Sequence, residues 1–175
     1  MSSNNLIFIG TLHAGFTPID ELAQILDKFS PDQLLIEIAQ ADIDANKIDS
    51  YPPEMKFALE WAKKHNVDYA GFDTGVSVLA EGKTQADNEA VIDEEEKVIR
   101  EHDWKDFNKK EYLDRLHAVS DRTLIDWQKW DEREQQMTEN IRKTARGDRT
   151  VVLTGAGHID YFTEAFTEAE FPFRT

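Results

Sequence analysis

Short apolar runs alternate with segments of helical spacing in the first part of the chain. Thr17-Pro18 predicts the start of a helix, with Thr17 as its N-cap and Pro18 in its first turn. Pro52-Pro53 predicts the start of another. Four short apolar runs predict buried strands: residues 6–9, 33–38, 67–73 and 150–154. Strands that alternate with helices are typical of a parallel sheet.

The segment from 84 to 146 has a different pattern. It contains no proline or glycine, it is densely charged, and its apolar residues recur at helical spacing. We expect two or three helices, with breaks near 102–103 and near 120–121. The sequence therefore predicts one α/β domain over 1–175: a mostly parallel sheet of about four strands flanked by helices, with a helical insertion (84–146) that precedes the last strand and covers the strand ends.

Composition limits the functions to be considered. The chain has 175 residues, of which 40% are hydrophobic, and a net charge of −15. This charge argues against binding to nucleic acids and to anionic membranes. Cysteine is absent, so a metal site would have to use His, Asp or Glu. The first apolar run is too short for a signal peptide or a membrane span, and we expect a cytoplasmic protein.

Two of the five histidines follow strands in the same way. His13 ends Gly10-Thr11-Leu12-His13 and His158 ends Gly155-Ala156-Gly157-His158. Ligands of open α/β sheets bind beyond the carboxyl ends of the strands, so we expect both imidazoles in one pocket, where they suit metal coordination or proton transfer. Alternatively, each binds only the backbone of its own turn. The other histidines are expected at the surface: His65, His102 and His117.

Three charged residues stand at positions that are otherwise apolar or buried. Glu37 lies within an apolar strand and needs a metal, an arginine or a histidine as partner. Asp73 ends a strand and is either a pocket residue or a turn residue that caps Gly75. Arg133 shares a helix face with apolar residues. It is a partner for a carboxylate such as Glu37, a clamp for an oxyanion, or a side chain whose head group reaches water.

These residues together resemble one known family. The segments Ile9–His13 and Val151–His158, the isolated Glu37 and Arg133-x-x-x-Met137 are similar to motifs of the TraB/PrgY/GumN/Tiki family. That family belongs to a superfamily with erythromycin-esterase-like and ChaN-like proteins. The resemblance implies a metal-dependent hydrolase that uses His13, Glu37 and His158, with Arg133 as a pocket residue and Asp73 as the aspartate that ends the next strand.

The chemistry of these residues agrees with a metal site. Two imidazoles and a carboxylate can hold a divalent cation such as Mn, Co or Zn and leave positions for water. We expect hydrolysis of a peptide or ester bond in a small-molecule or peptide substrate, with Glu37 as ligand or general base. Two alternatives remain: a non-enzymatic protein that binds a peptide, a small ligand or haem, and a metal-free esterase-like hydrolase. Three tryptophans of the insertion suggest a pocket lid or a homodimer surface, although aromatic residues at helical spacing more often belong to the core: Trp104, Trp127 and Trp130.

Overall fold

The predicted strands form one sheet in which all neighbouring strands are parallel. The computed structural model describes residues 5–119 and 122–174. The strands pair in the order β1-β4-β2-β3. Their bounds are β1 (Asn5–Thr11), β2 (Gln33–Ala39), β3 (Asp68–Asp73) and β4 (Arg149–Gly155). The predicted α/β class is confirmed. The central strand β2 is buried along its whole length, as its continuous apolar run predicts.

Helices flank this sheet. In the described part of the chain they are α1 (Ile19–Phe29), α2 (Gln40–Asp44), α3 (Pro53–His65), α4 (Gln85–Ile99), α5 (Lys110–Val119), α6 (Trp127–Thr144) and α7 (Ile159–Ala165). Short 3₁₀ helices span Trp104–Asn108, Arg122–Leu124 and Ala156–His158. The first of these follows the predicted break at 102–103. The predicted break at 120–121 lies outside the described residues, and α2 was not predicted.

Alternating side chains of the strands build two hydrophobic cores, one on each face of the sheet. Ile7 and Ile9 of β1 belong to the core that contains α1 and α3. Phe8 points to the opposite face and packs in the core that contains Met137 of α6 and Phe162 of α7. Helix α6, the last part of the predicted insertion, therefore forms a layer against the sheet. At the carboxyl ends of the strands, residues of both α4 and α6 line the space around His13 and His158.

The start of α1 differs from the prediction. Pro18 occupies the N-cap position and no side chain caps the helix. The predicted cap, Thr17, is buried, and its hydroxyl instead accepts a hydrogen bond from the Leu12 N–H (2.8 Å) and donates one to the Leu12 carbonyl (2.9 Å). The prediction was wrong because backbone groups of the preceding loop compete for the same hydroxyl. Thr17 thereby ties the loop that carries His13 to α1.

Two further contacts hold β1 in place. The buried side chain of Asn108 accepts a hydrogen bond from the Gly10 N–H (2.8 Å) and donates one to the Gly10 carbonyl (2.9 Å). On the outer edge of β1, the Glu170 N–H donates to the Leu6 carbonyl and the Phe8 N–H donates to the Glu170 carbonyl. Among the helices that the structure describes, none combines the length and the apolar character that crossing a membrane requires.

Candidate functional site

The two Gly-x-x-His turns lie side by side at the carboxyl edge of the sheet. Strands β1 and β4 are parallel neighbours, and Thr11 pairs with Gly155. A Cβ atom on Gly155 would lie 2.9 Å from the Nε2 atom of His13, so glycine at this position gives the imidazole room to approach β4. All five predicted site residues line one cavity of about 640 Å³: His13, Glu37, Asp73, Arg133 and His158.

His158 is the buried member of the histidine pair. Its Nδ1–H donates to Glu134 Oε1 of α6 (2.8 Å), its Nε2 lies 3.5 Å from Glu37 Oε1, and its ring stacks on Trp130 (centroids 4.5 Å apart). Burial lowers the pKa of His158, but the charge of Glu37 and the hydrogen bond to Glu134 outweigh it and raise this pKa to about 9. Without a bound cation the ring is an imidazolium at neutral pH.

His13 has the same kind of partner in a more open place. Its Nδ1–H donates to Glu54 Oε1 of α3 (2.6 Å), while 45% of its side chain is exposed. Loss of water around the ring lowers the pKa of His13, but the Glu54 hydrogen bond and the charge of Glu37 raise it overall. Glu54 itself is fully buried, and its Oε2 atom has no hydrogen-bond partner. The only polar contact of this buried carboxylate that the described residues show is the one with His13.

Glu37 lies between the two histidines, and each of its oxygens accepts at least one hydrogen bond. Oε2 accepts from the Gly155 N–H (2.6 Å) and from the Thr154 hydroxyl (2.6 Å), and Oε1 accepts from Arg133 Nη2 (2.9 Å). Burial raises the pKa of Glu37, but the charge and hydrogen bond of His158 and the charge of Arg133 hold it well below its usual range. Glu37 is therefore a fixed anion and a weak base.

Arg133 joins Glu37 to Asp73. Its Nε and Nη2 atoms donate to Asp73 Oδ1 (2.8 Å) and Oδ2 (2.9 Å), the two-pronged geometry of a strong arginine–carboxylate pair. The guanidinium therefore lies among carboxylates, as a partner of Glu37, and its head group is not held out in water. Asp73 lines the cavity, and its Oδ1 also accepts a hydrogen bond from the Thr74 N–H (2.7 Å), one residue before the Gly75 that the turn interpretation named.

The other histidines only partly follow the surface prediction. His65 is exposed and bonds the Trp61 carbonyl through Nδ1. His102 is half-buried, with the Tyr112 ring of α5 edge-on to its own ring. His117 is exposed, yet it lines a smaller cavity together with His13 and His158.

The donor atoms fit a divalent cation in part. Both imidazoles are held by a carboxylate at Nδ1, which leaves Nε2 for a ligand, and metal-binding histidines almost always have such a second partner. Glu37 fits poorly as a third ligand because both of its oxygens already accept hydrogen bonds. Within residues 5–119 and 122–174, no group of three His, Cys, Asp or Glu side chains is arranged to hold a metal ion.

Three residues at the site were missed by the sequence analysis: Glu54, Trp130 (expected in a lid, a dimer surface or the core) and Glu134. Glu134 could have been found, because it follows Trp130 by four residues and precedes Met137 by three, which places it on the buried face of α6. Glu54 could not. It stands in the first turn of a helix, where an acidic residue is ordinary.

Comparison with known proteins adds no assignment. No protein-family model matches the chain, and neither a curated protein nor a solved structure is significantly similar to it.

Proposed function

We propose that the protein is a hydrolase that cleaves a peptide or ester bond with the help of a divalent cation held by the Nε2 atoms of His13 and His158. One observation carries this proposal: a buried carboxylate locks each imidazole at Nδ1, and both rings line the cavity that contains Glu37. Such carboxylate–histidine pairs are the usual support of a metal ligand. The resemblance to the TraB/PrgY/GumN/Tiki family supports the same chemistry.

A bound cation such as Mn²⁺, Co²⁺ or Zn²⁺ would supply an activated water and polarise the carbonyl of the substrate. The protein itself supplies orientation. Glu54 and Glu134 fix which ring nitrogen carries the proton and which one faces the cavity. Arg133 and the Gly155 N–H hold Glu37 as an anion beside both imidazoles, where its charge stabilises positive charge on them or between them.

A second candidate is a hydrolase that needs no metal. The hydrogen bonds on both oxygens of Glu37 favour it, because they make Glu37 a poor third ligand and leave two imidazoles where catalytic metal sites commonly have three protein ligands. In this version the exposed His13 removes a proton from water. The buried His158 then donates a proton to the leaving group. The same five residues line the site in both versions.

Metal content and turnover, measured on the same samples, test the proposal. The purified protein is assayed on p-nitrophenyl esters and short peptides, before and after chelator treatment and after Mn²⁺, Co²⁺ or Zn²⁺ is restored. His13→Ala and His158→Ala should each lower bound metal and reduce activity by about 10²- to 10⁴-fold. The matched control is His65→Ala, an exposed histidine outside the cavity, which should change neither.

Each outcome separates the alternatives. Activity that a chelator removes and a metal restores supports the cation-dependent hydrolase. Activity that survives the chelator and still requires both histidines supports the metal-free version. Metal uptake without turnover on any substrate indicates a binding protein. A folded protein with neither uptake nor turnover overturns both enzymatic versions.

A further inference from the structure

An aromatic cavity lies next to the histidines, on the side of α6. Its volume is about 330 Å³, which is the size of a small ligand site. Trp127, Trp130 and Tyr161 line it together with Val91 of α4, so most of its wall is aromatic or aliphatic. The proposed hydrolytic step uses none of these side chains, and the cavity therefore needs a separate explanation.

This cavity is adjacent to the space at the imidazoles of His13 and His158. Trp130 and Gly157 line it, and they also line the cavity of about 300 Å³ that contains His13 and His158. Trp130 stacks on the His158 ring at 4.5 Å. The Trp130 side chain therefore stands between a group bound in the aromatic cavity and the proposed site of hydrolysis. A specificity-determining group of a substrate commonly binds this close to the cleaved bond.

The charges of the lining restrict the occupant further. Three acidic residues line the cavity, Glu95, Glu134 and Asp160, and no Lys or Arg is among the described residues that do so. Glu134 bonds His158 and Asp160 bonds Arg174, so part of this charge is compensated. Among the described lining residues, His117 is the one basic side chain, and neither a lysine nor an arginine is offered to a carboxylate or phosphate. Aromatic walls favour an aromatic ring, which packs against Trp and Tyr in offset or edge-to-face geometry.

We infer that this cavity is the specificity subsite of the enzyme: it takes the aromatic side chain or acyl group of an uncharged or cationic substrate, whose scissile bond then lies at His13 and His158. The inference rests on the proposed hydrolase function. It names the substrate class, namely aromatic acyl esters or peptides with an aromatic residue beside the cleaved bond, and it excludes substrates that carry an anionic group there.

Binding is tested without turnover by titration with 3-phenylpropanamide, followed through the indole N–H resonances of the four tryptophans. Trp127 and Trp130 should shift on saturation, and Trp61 and Trp104 should not. Val91→Trp fills the cavity from α4 and should abolish the shifts. The matched control Val119→Trp makes the same change at an exposed position that does not line the cavity, and it should leave binding intact.

Kinetics then test specificity. The value of kcat/KM for p-nitrophenyl 3-phenylpropanoate should be about 10- to 100-fold higher than that for p-nitrophenyl acetate, which is the range that a hydrophobic pocket provides. Val91→Trp should remove this preference, whereas the control Val119→Trp should leave both the preference and acetate hydrolysis unchanged, and p-nitrophenyl succinate should be a poor substrate. Equal rates on all three esters overturn the subsite while the hydrolase proposal stands. A third outcome is that the wild type binds the amide, Val91→Trp abolishes this binding, and no ester is cleaved. The cavity would then be a binding site, and the proposed hydrolase function would be wrong.

Discussion

The two strand ends that meet at the site carry the same four-residue pattern, and the protein places them in different surroundings. His158 is sealed between Glu134, Glu37 and the Trp130 ring. His13 lies in a loop and keeps 45% of its side chain exposed, although a buried glutamate holds it in the same way. A shared motif thus gives shared orientation of the imidazole, and the packing around each ring decides how freely it exchanges protons and meets a substrate.

The largest difference between the surroundings of His13 and those of His158 should appear when the glutamate that bonds each imidazole is replaced by leucine. Glu134→Leu leaves a buried imidazolium without its hydrogen-bond partner and should lower the free energy of unfolding by about 3–5 kcal/mol. Glu54→Leu replaces a fully buried carboxylate that has one unpaired oxygen, and His13 can turn to water. Its effect on stability should be under about 1 kcal/mol.

Urea denaturation of both variants measures this contrast. Both should lose hydrolytic activity by about 10- to 100-fold, the usual cost of removing the partner of a functional histidine. Equal losses of stability would show that the difference in exposure between His13 and His158 has no energetic meaning.

The next effect concerns two glycines of one turn. A Cβ on Gly155 would lie 2.9 Å from His13 Nε2, whereas a Cβ on Gly157 would lie 3.8 Å from Trp130, an ordinary contact. Gly155→Ala should therefore displace the His13 ring and reduce kcat by about 10²-fold, since a shift of about 1 Å is enough for such a loss. Because 45% of the His13 side chain is exposed, the displaced ring has room on the solvent side, and the fold should tolerate the change. Gly157→Ala, its control, should retain most of the activity, and comparable losses in both variants would remove the role assigned to Gly155.

The smallest effect is expected at the base of the His13 loop. Thr17→Val removes the hydroxyl that bonds both backbone groups of Leu12 and should cost about 1–3 kcal/mol of stability. Thr163→Val is the matched control. Its hydroxyl donates to the Ile159 carbonyl within the same helix α7, so the effect of this change should stay within about 0.5 kcal/mol. Thermal unfolding measures both variants, and a Thr17→Val protein as stable as the wild type would show that this tie contributes nothing.

Much of this arrangement follows from rules that need no structure. Parallel strands end at the same edge, so the pattern after each strand was enough to expect His13 and His158 together, and an unpaired carboxylate in an apolar strand was enough to expect a partner for Glu37. Arg133 was among the candidates because it interrupts an apolar helix face. These expectations depend on periodicity and on the cost of burying charge, which are local properties of the chain.

The remaining details depend on tertiary packing. The order of the strands puts β4 between β1 and β2, and only this order brings Glu37 within reach of the Gly155 N–H. Glu54 acts through its position relative to a distant loop, and Thr17 bonds that loop although its sequence context suggests a helix cap. Such contacts depend on which helices, strands and loops pack together in the fold. No local pattern of the sequence predicts them.

After α7 the chain passes along the outer edge of β1, and this has a consequence for association between molecules. An uncovered edge strand presents unpaired amides and carbonyls that can recruit strands of other molecules and seed aggregation. Glu170 occupies such groups on Leu6 and Phe8, in the middle of β1, and the Phe171 ring stacks on Phe8 at 5.0 Å. The segment acts as a gatekeeper on that flank of the sheet. This segment lies away from the carboxyl ends of the strands. It can therefore cover the edge of β1 without blocking the way of a substrate to the site.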